Sequence, residues 1–222
     1  KEKNYELAFI NSGAPNDFPE SFLNKKNAFA NSKSVKKLYE NAKVGDIVAI
    51  SFFRGHLNQD PWNHVSIDFA RKENKRLKNA KDNFYDFLNL LDKKGVKTIL
   101  IRDVPMLRQN LNWKICEFQE KFFKYNNCDI SVNEDTITRY KQDNLYDYLN
   151  AKIPNVKIWD PRKLMNQNGI YSWKSKEGEI IMTDQNHITN KYSKFLSKDF
   201  EKFMYKNKIL ESSYSPIKNK IN

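Results

Sequence analysis

Asp46-Ile47-Val48-Ala49-Ile50-Ser51-Phe52-Phe53 and Gly95-Val96-Lys97-Thr98-Ile99-Leu100-Ile101 are the two stretches whose reading decides the fold. Each is a nearly continuous apolar run rich in β-branched residues, which suits a strand covered on both faces of a parallel sheet better than a half-exposed one. Between them, residues 71–94 read as a long helix. Leu77, Ala80, Phe84, Phe87, Leu88 and Leu91 recur at three- and four-residue steps and form one apolar stripe. Gly95 ends that helix, and strand, amphipathic helix, glycine, strand is the signature of a βαβ unit. Working outward, Leu7-Ala8-Phe9-Ile10 is a short buried strand closed by the turn-rich Asn11-Ser12-Gly13-Ala14-Pro15. Val156-Lys157-Ile158-Trp159 is another strand, closed by Asp160-Pro161. A weak helix is expected around 35–39, with others over 115–125, 134–150 and 190–205, and a loose tail over 211–222. The expectation is one three-layer αβα domain over 1–210 with a mostly parallel sheet. In such folds chemistry gathers beyond the carboxyl ends of the strands.

A chain of 222 residues is long enough for one sizeable core and would be cramped as two domains. Its 39 Lys and Arg against 27 Asp and Glu leave a formal charge of +12. The lysines are spread along every segment, without the spacing of a zinc finger, basic zipper or homeodomain, so specific nucleic-acid binding is not expected. A solvated lysine-rich surface accounts for the charge, and the same charge suits a polyanionic or membrane-surface neighbourhood. No apolar run reaches the length of a membrane span and no signal-peptide pattern opens the chain. The chain begins at Lys1 rather than Met, and a front segment missing from it is expected. Cys116 and Cys128 fit neither a four-ligand zinc site nor a C-x-x-C pair. One disulfide and two buried thiols both remain open on composition.

Three polar clusters fall at strand-to-loop junctions: Ser51 to Asn58, Arg102 to Pro105, and Asp184 to His187. In Asp184-Gln185-Asn186-His187-Ile188-Thr189, the three-residue offset can set a carboxylate beside an imidazole. That contact fixes the tautomer and makes the ring a competent general base. The alternative is a turn-capping aspartate beside an ordinary polar histidine. Arg54, at the end of a buried strand, can hold an anionic or carbonyl oxygen of a substrate, or can pair with a carboxylate to brace the sheet edge. His56 and His64, with Asp60 and Asp68 nearby, match no common metal-ligand spacing, so no metal is expected. Ser51 is read inside the strand and lacks a Gly-x-Ser-x-Gly elbow, while Ser12 follows a strand in a weak local context.

In order, these features resemble the SGNH-type (GDSL-like) hydrolase domain fused to integral-membrane acyltransferases of the acyltransferase-3 family, which O-acylate surface polysaccharides. The residues that carry the resemblance are Gly45 to Arg54, Gly95 to Pro105, the cysteine pair after Pro105, Val156 to Asp160, and above all Thr183 to Thr189. Together they cover residues 5–203. The last block is close to the family's catalytic Asp-x-x-His-Leu-Thr, which implies Asp184 and His187 as catalytic residues. The resemblance also implies a Cys116–Cys128 disulfide, a periplasmic or extracellular setting, and an upstream membrane domain as partner and source of acyl groups. No cofactor is implied. Two departures stand out. The Gly-Asp-Ser-His block that supplies the nucleophile on the family's first strand is absent from this sequence, so the chain is expected to be inactive or nearly so without an upstream serine. The Asn of the family's Asn-Arg-Trp element is also missing, since Phe53-Arg54-Gly55 stands there. The implied function is O-acylation, acetylation included, of a surface polysaccharide or lipid-linked glycan, with Trp62 and Trp173 as sugar-stacking candidates. The competing reading is a non-catalytic carbohydrate-binding module with a degenerate hydrolase fold.

Overall fold

A computed structural model describes residues 18–24, 32–57, 74–108, 112–123 and 128–210. In chain order these residues form α1 (Glu20–Asn24), α2 (Lys33–Asn41), β1 (Ile47–Ile50), a 3-10 turn (Arg54–Leu57) and α3 (Lys75–Lys93). Next come β2 (Lys97–Ile101), α4 (Trp113–Phe123), β3 (Ile130–Ser131), α5 (Val132–Lys152) and β4 (Val156–Trp159). The chain then forms α6 (Arg162–Met165), β5 (Ile170–Tyr171) and α7 (Asn190–Lys206). The predicted strand at 7–10 lies outside the described residues.

The central sheet has the order β1-β2-β4 and is wholly parallel, with Ile47 opposite Lys97, Ile50 opposite Leu100, and Ile101 opposite Trp159. The two faces follow from the period-two alternation of strands. Val48, Ile50, Leu100 and Val156 point into the main core, where they meet Leu77, Phe84, Leu88 and Leu91 of α3 and Leu145 and Leu149 of α5. Phe18, Phe22, Phe52 and Phe84 add a knot of edge-on and stacked rings at 4.9–6.2 Å. Trp159 faces the other way and meets α7, packing on Phe200 and donating its indole N–H to Asp199 at 2.9 Å. Lys97 reaches the carbonyls of Lys208 and Ile209 just beyond that helix. Helices therefore flank the sheet on both faces, as an αβα arrangement requires. A second core, under the carboxyl end of the sheet, gathers Leu107, Cys116, Cys128, Ile130, Met165, Tyr171, Trp173, Ile181 and Met182.

Several boundaries have local causes. Asn74 caps α3 by accepting from the Leu77 N–H at 2.8 Å. At the far end Gly95 takes φ +76, and a Cβ there would stand 3.1 Å from Val44 Cγ1, so both backbone and space select glycine. β1 is shorter than its apolar run: it stops at Ile50, and Ser51 lies exposed beyond it rather than inside the strand. α5 starts two residues before the predicted boundary because Ser131 and Glu134 form a reciprocal capping box, Ser131 accepting from the Glu134 N–H at 3.1 Å and its own N–H donating to the Glu134 carboxylate at 3.0 Å. Replacing Ser131 with Ala is expected to lower stability by about 1 kcal/mol, read as a shift in a urea unfolding midpoint. An unchanged midpoint would show that tertiary packing alone sets this helix end.

Candidate active site

The Asp184–His187 block is a tight turn held from several directions. The Thr183 N–H donates to the His187 carbonyl at 2.7 Å, and Met182 bridges to Ile188 across the turn. Thr189 then donates to the Ile180 carbonyl and accepts from the Tyr192 N–H, so it closes the turn and caps α7 together. From the other side, Leu107 donates its N–H to the Gln185 carbonyl at 2.8 Å, tying the turn to the segment that follows β2. Leu107 and, in part, Ile188 also pack into the second core.

Within the turn, His187 Nδ1 lies 2.9 Å from each oxygen of the Asp184 carboxylate. The Nδ1–H donates to that carboxylate, which assigns the lone pair to Nε2. The His187 side chain is 71% exposed. Burial pushes the Asp184 carboxyl up, but the Asn186 N–H, the His187 ring and the His187 N–H outweigh it and hold the group below its ordinary value. A carboxylate so depressed contributes stability that is fully present above the unfolded Asp value, near 3.9, and is lost as pH falls through the lower folded value. Asp184→Asn is therefore expected to melt below the parent at pH 7, with the gap closing toward pH 3. A gap that stays constant across that range would contradict the pairing.

Arg54 sits at the carboxyl edge of the same sheet, 2% exposed. Its Nη1 donates to Asp135 Oδ1 at 2.6 Å and to Thr138 Oγ1 at 3.2 Å, its Nη2 donates to the Val104 carbonyl, and its Nε lies 3.4 Å from Asp103. Burial alone would lower this guanidinium's pKa; Asp135 and Asp103 oppose that and hold it above its ordinary value. Asp135 Oδ1 also accepts from the Met106 N–H at 3.3 Å. Arg54 thus reaches the His187 turn through a strap, residues 103–107, that it braces from beneath. The side chain is a buried brace and not the surface substrate or oxyanion contact expected of it, because its donors are spent inside the fold. Arg102, Arg139 and Arg162 continue the same network with Asp143, Asp147 and Asp160.

Trp173 is 4% exposed within the second core, so its ring packs against protein rather than offering a sugar platform. Trp62, His64, Asp60, Asp68 and Ser12 lie outside the described residues. His56 stands in the 3-10 turn with its ring edge-on to Phe53. Cys116 and Cys128 are joined by a disulfide, which anchors the start of α4 beside the His187 turn, where the Trp113 N–H reaches the Thr183 carbonyl. Among the described residues, no hydroxyl group donates to His187 Nε2, no group of three or more His, Cys, Asp and Glu side chains could hold a metal ion, and no helix is long and apolar enough to cross a membrane.

Residues 1–202 match the family described as SGNH domain (fused to AT3 domains). The chain belongs to the SGNH domain family. Among solved structures, this SGNH domain is similar to the periplasmic domain of the Salmonella ser. Paratyphi A lipopolysaccharide acetyltransferase, at 16% identity and a TM-score of 0.47. The likeness covers 82% of this chain and 64% of that one. No curated protein matches the sequence. Sequence reasoning identified the Asp184–His187 block but missed Asp135, which is fully buried and ties Arg54 to the strap. Its only signal was a carboxylate in the first turn of a helix, which is ordinary.

Proposed function

We propose that this SGNH domain works in an acyltransferase that O-acylates a surface polysaccharide or lipid-linked glycan on the periplasmic or extracellular face of a membrane. The observation that carries the reading is His187 Nδ1 seated 2.9 Å from both Asp184 oxygens in a side chain that is largely exposed. That is the orienting half of a nucleophile–imidazole–carboxylate relay. The family's fusion to AT3 domains supports a membrane acyltransferase as the partner that delivers acyl groups.

In the proposed reaction a serine hydroxyl attacks the acyl carbonyl carbon as His187 Nε2 takes the hydroxyl proton. Backbone N–H groups hold the resulting oxyanion, and its collapse expels the donor's leaving group, which takes the proton back from His187. A glycan hydroxyl then attacks the acyl-serine, passes its proton to Nε2, and leaves as the ester while the serine is regenerated. Water in place of the glycan turns transfer into hydrolysis. Asp184 orients the ring throughout and stabilises the imidazolium. The product of the complete gene is expected to be labelled at a serine by a fluorophosphonate probe, and its His187→Ala variant to lose that labelling. If neither protein is labelled, the non-catalytic carbohydrate-binding module becomes the better reading.

A further inference from the structure

α7 begins directly after the candidate catalytic turn and carries lysines at 191, 194, 198, 202 and 206. At 100° per residue these fall within an arc of about 120° and run for about 22 Å along the axis, so they form one ridge. All five are exposed. Lys191 pairs with Glu179 at 2.5 Å, but the other four have no carboxylate within ion-pair distance among the described residues. Of the two carboxylates on the helix, Asp199 is turned to the sheet by the Trp159 indole, and Glu201, exposed at the edge of the ridge, forms no ion pair with these lysines. Five close-set ammonium groups outnumber the carboxylates beside them and repel one another, a cost that an anionic ligand would reduce.

The character of the ridge selects the ligand. A helix that lies on a bilayer exposes an apolar face between its basic flanks. In α7 the apolar face is directed inward instead, with Leu196 buried and Phe200 against Trp159. Single-stranded nucleic acid is held by successive aromatic platforms along a basic groove, whereas this ridge includes one exposed ring, Phe195, 51% exposed. One flat ring among regularly spaced lysines suits a sugar chain bearing repeated carboxylate or phosphate groups.

We propose that the lysine ridge of α7 is a binding track for an anionic glycan, which leads the polymer past His187. The last clause rests on the acyl-transfer reading; binding to the track does not. The test is fluorescence anisotropy with labelled polygalacturonate across a salt series, with neutral dextran, single-stranded DNA and anionic phospholipid vesicles as competitors. Two variants lose the same charge, Lys194→Gln/Lys198→Gln/Lys202→Gln on the ridge and Lys33→Gln/Lys37→Gln/Lys43→Gln, whose exposed lysines lie in and just after α2. The ridge variant is expected to bind polygalacturonate at least tenfold more weakly, with the slope of log K against log salt reduced by about 2; the other is expected to change less than twofold. Equal weakening of both would show diffuse charge and overturn the track, as would stronger competition by dextran, DNA or vesicles than by unlabelled polygalacturonate. Loss of the track with His187-dependent turnover intact would leave the acyl-transfer reading standing, and binding on the ridge without such turnover would remove that reading alone.

Discussion

Replacing Arg54 with Leu is expected to lower the unfolding free energy by about 3–5 kcal/mol, read from urea unfolding followed by circular dichroism. The magnitude comes from what the substitution leaves behind. Asp135 is fully buried, and Arg54 Nη1 at 2.6 Å is its principal compensation from the sheet side. Removing the guanidinium strands that carboxylate and deprives the Val104 carbonyl of a donor. Arg139 Nε, 3.0 Å from the other Asp135 oxygen, softens the loss but approaches from α5 and cannot reach the strap. Arg54→Lys is expected to recover only part of it, since one ammonium group cannot reproduce a fork spanning Asp103, Asp135 and Val104. The pair Arg54→Leu/Asp135→Leu should be more stable than Arg54→Leu alone, because the fully buried Asp135 carboxylate is then no longer left without its guanidinium. A loss below about 1 kcal/mol for Arg54→Leu would mean that the network behaves as a solvated surface pair.

The parallel sheet was legible because its signals are local. Val48, Ile50, Ile99 and Leu100 lie in apolar runs bounded by glycine, and the stripe from Leu77 to Leu91 has an unbroken helical period. The Asp184–His187 pair was legible for the same reason, since both partners fall within four residues. Arg54 was visible as an unusual charge at a strand end, but its role depended on partners 49 and 81 positions away, Asp103 and Asp135, which no local pattern connects. Trp173 was misleading in the opposite sense. A tryptophan in a polar stretch reads as exposed, yet Ile181 and Met182 fold back on it through hydrogen bonds to its carbonyl and bury it in the second core. The two short strands β3 and β5 escaped notice because two residues each are too few to show alternation.

The larger effect belongs to the His187 turn. In the product of the complete gene, Asp184→Asn is expected to reduce acyl turnover by about 10³–10⁴-fold, since the ring then loses the partner that sets its tautomer. His187→Ala should cost at least as much, and the double variant little more than His187→Ala alone, because both side chains serve one proton transfer.

The most direct test of the acyl-transfer reading is the rate of p-nitrophenyl acetate turnover by the complete gene product, measured beside its His187→Ala variant at pH 7. The expected result is turnover in the parent and a fall of at least about 10³-fold in the variant. Equal rates in the two proteins would contradict the claim that the Asp184–His187 pair drives acyl chemistry.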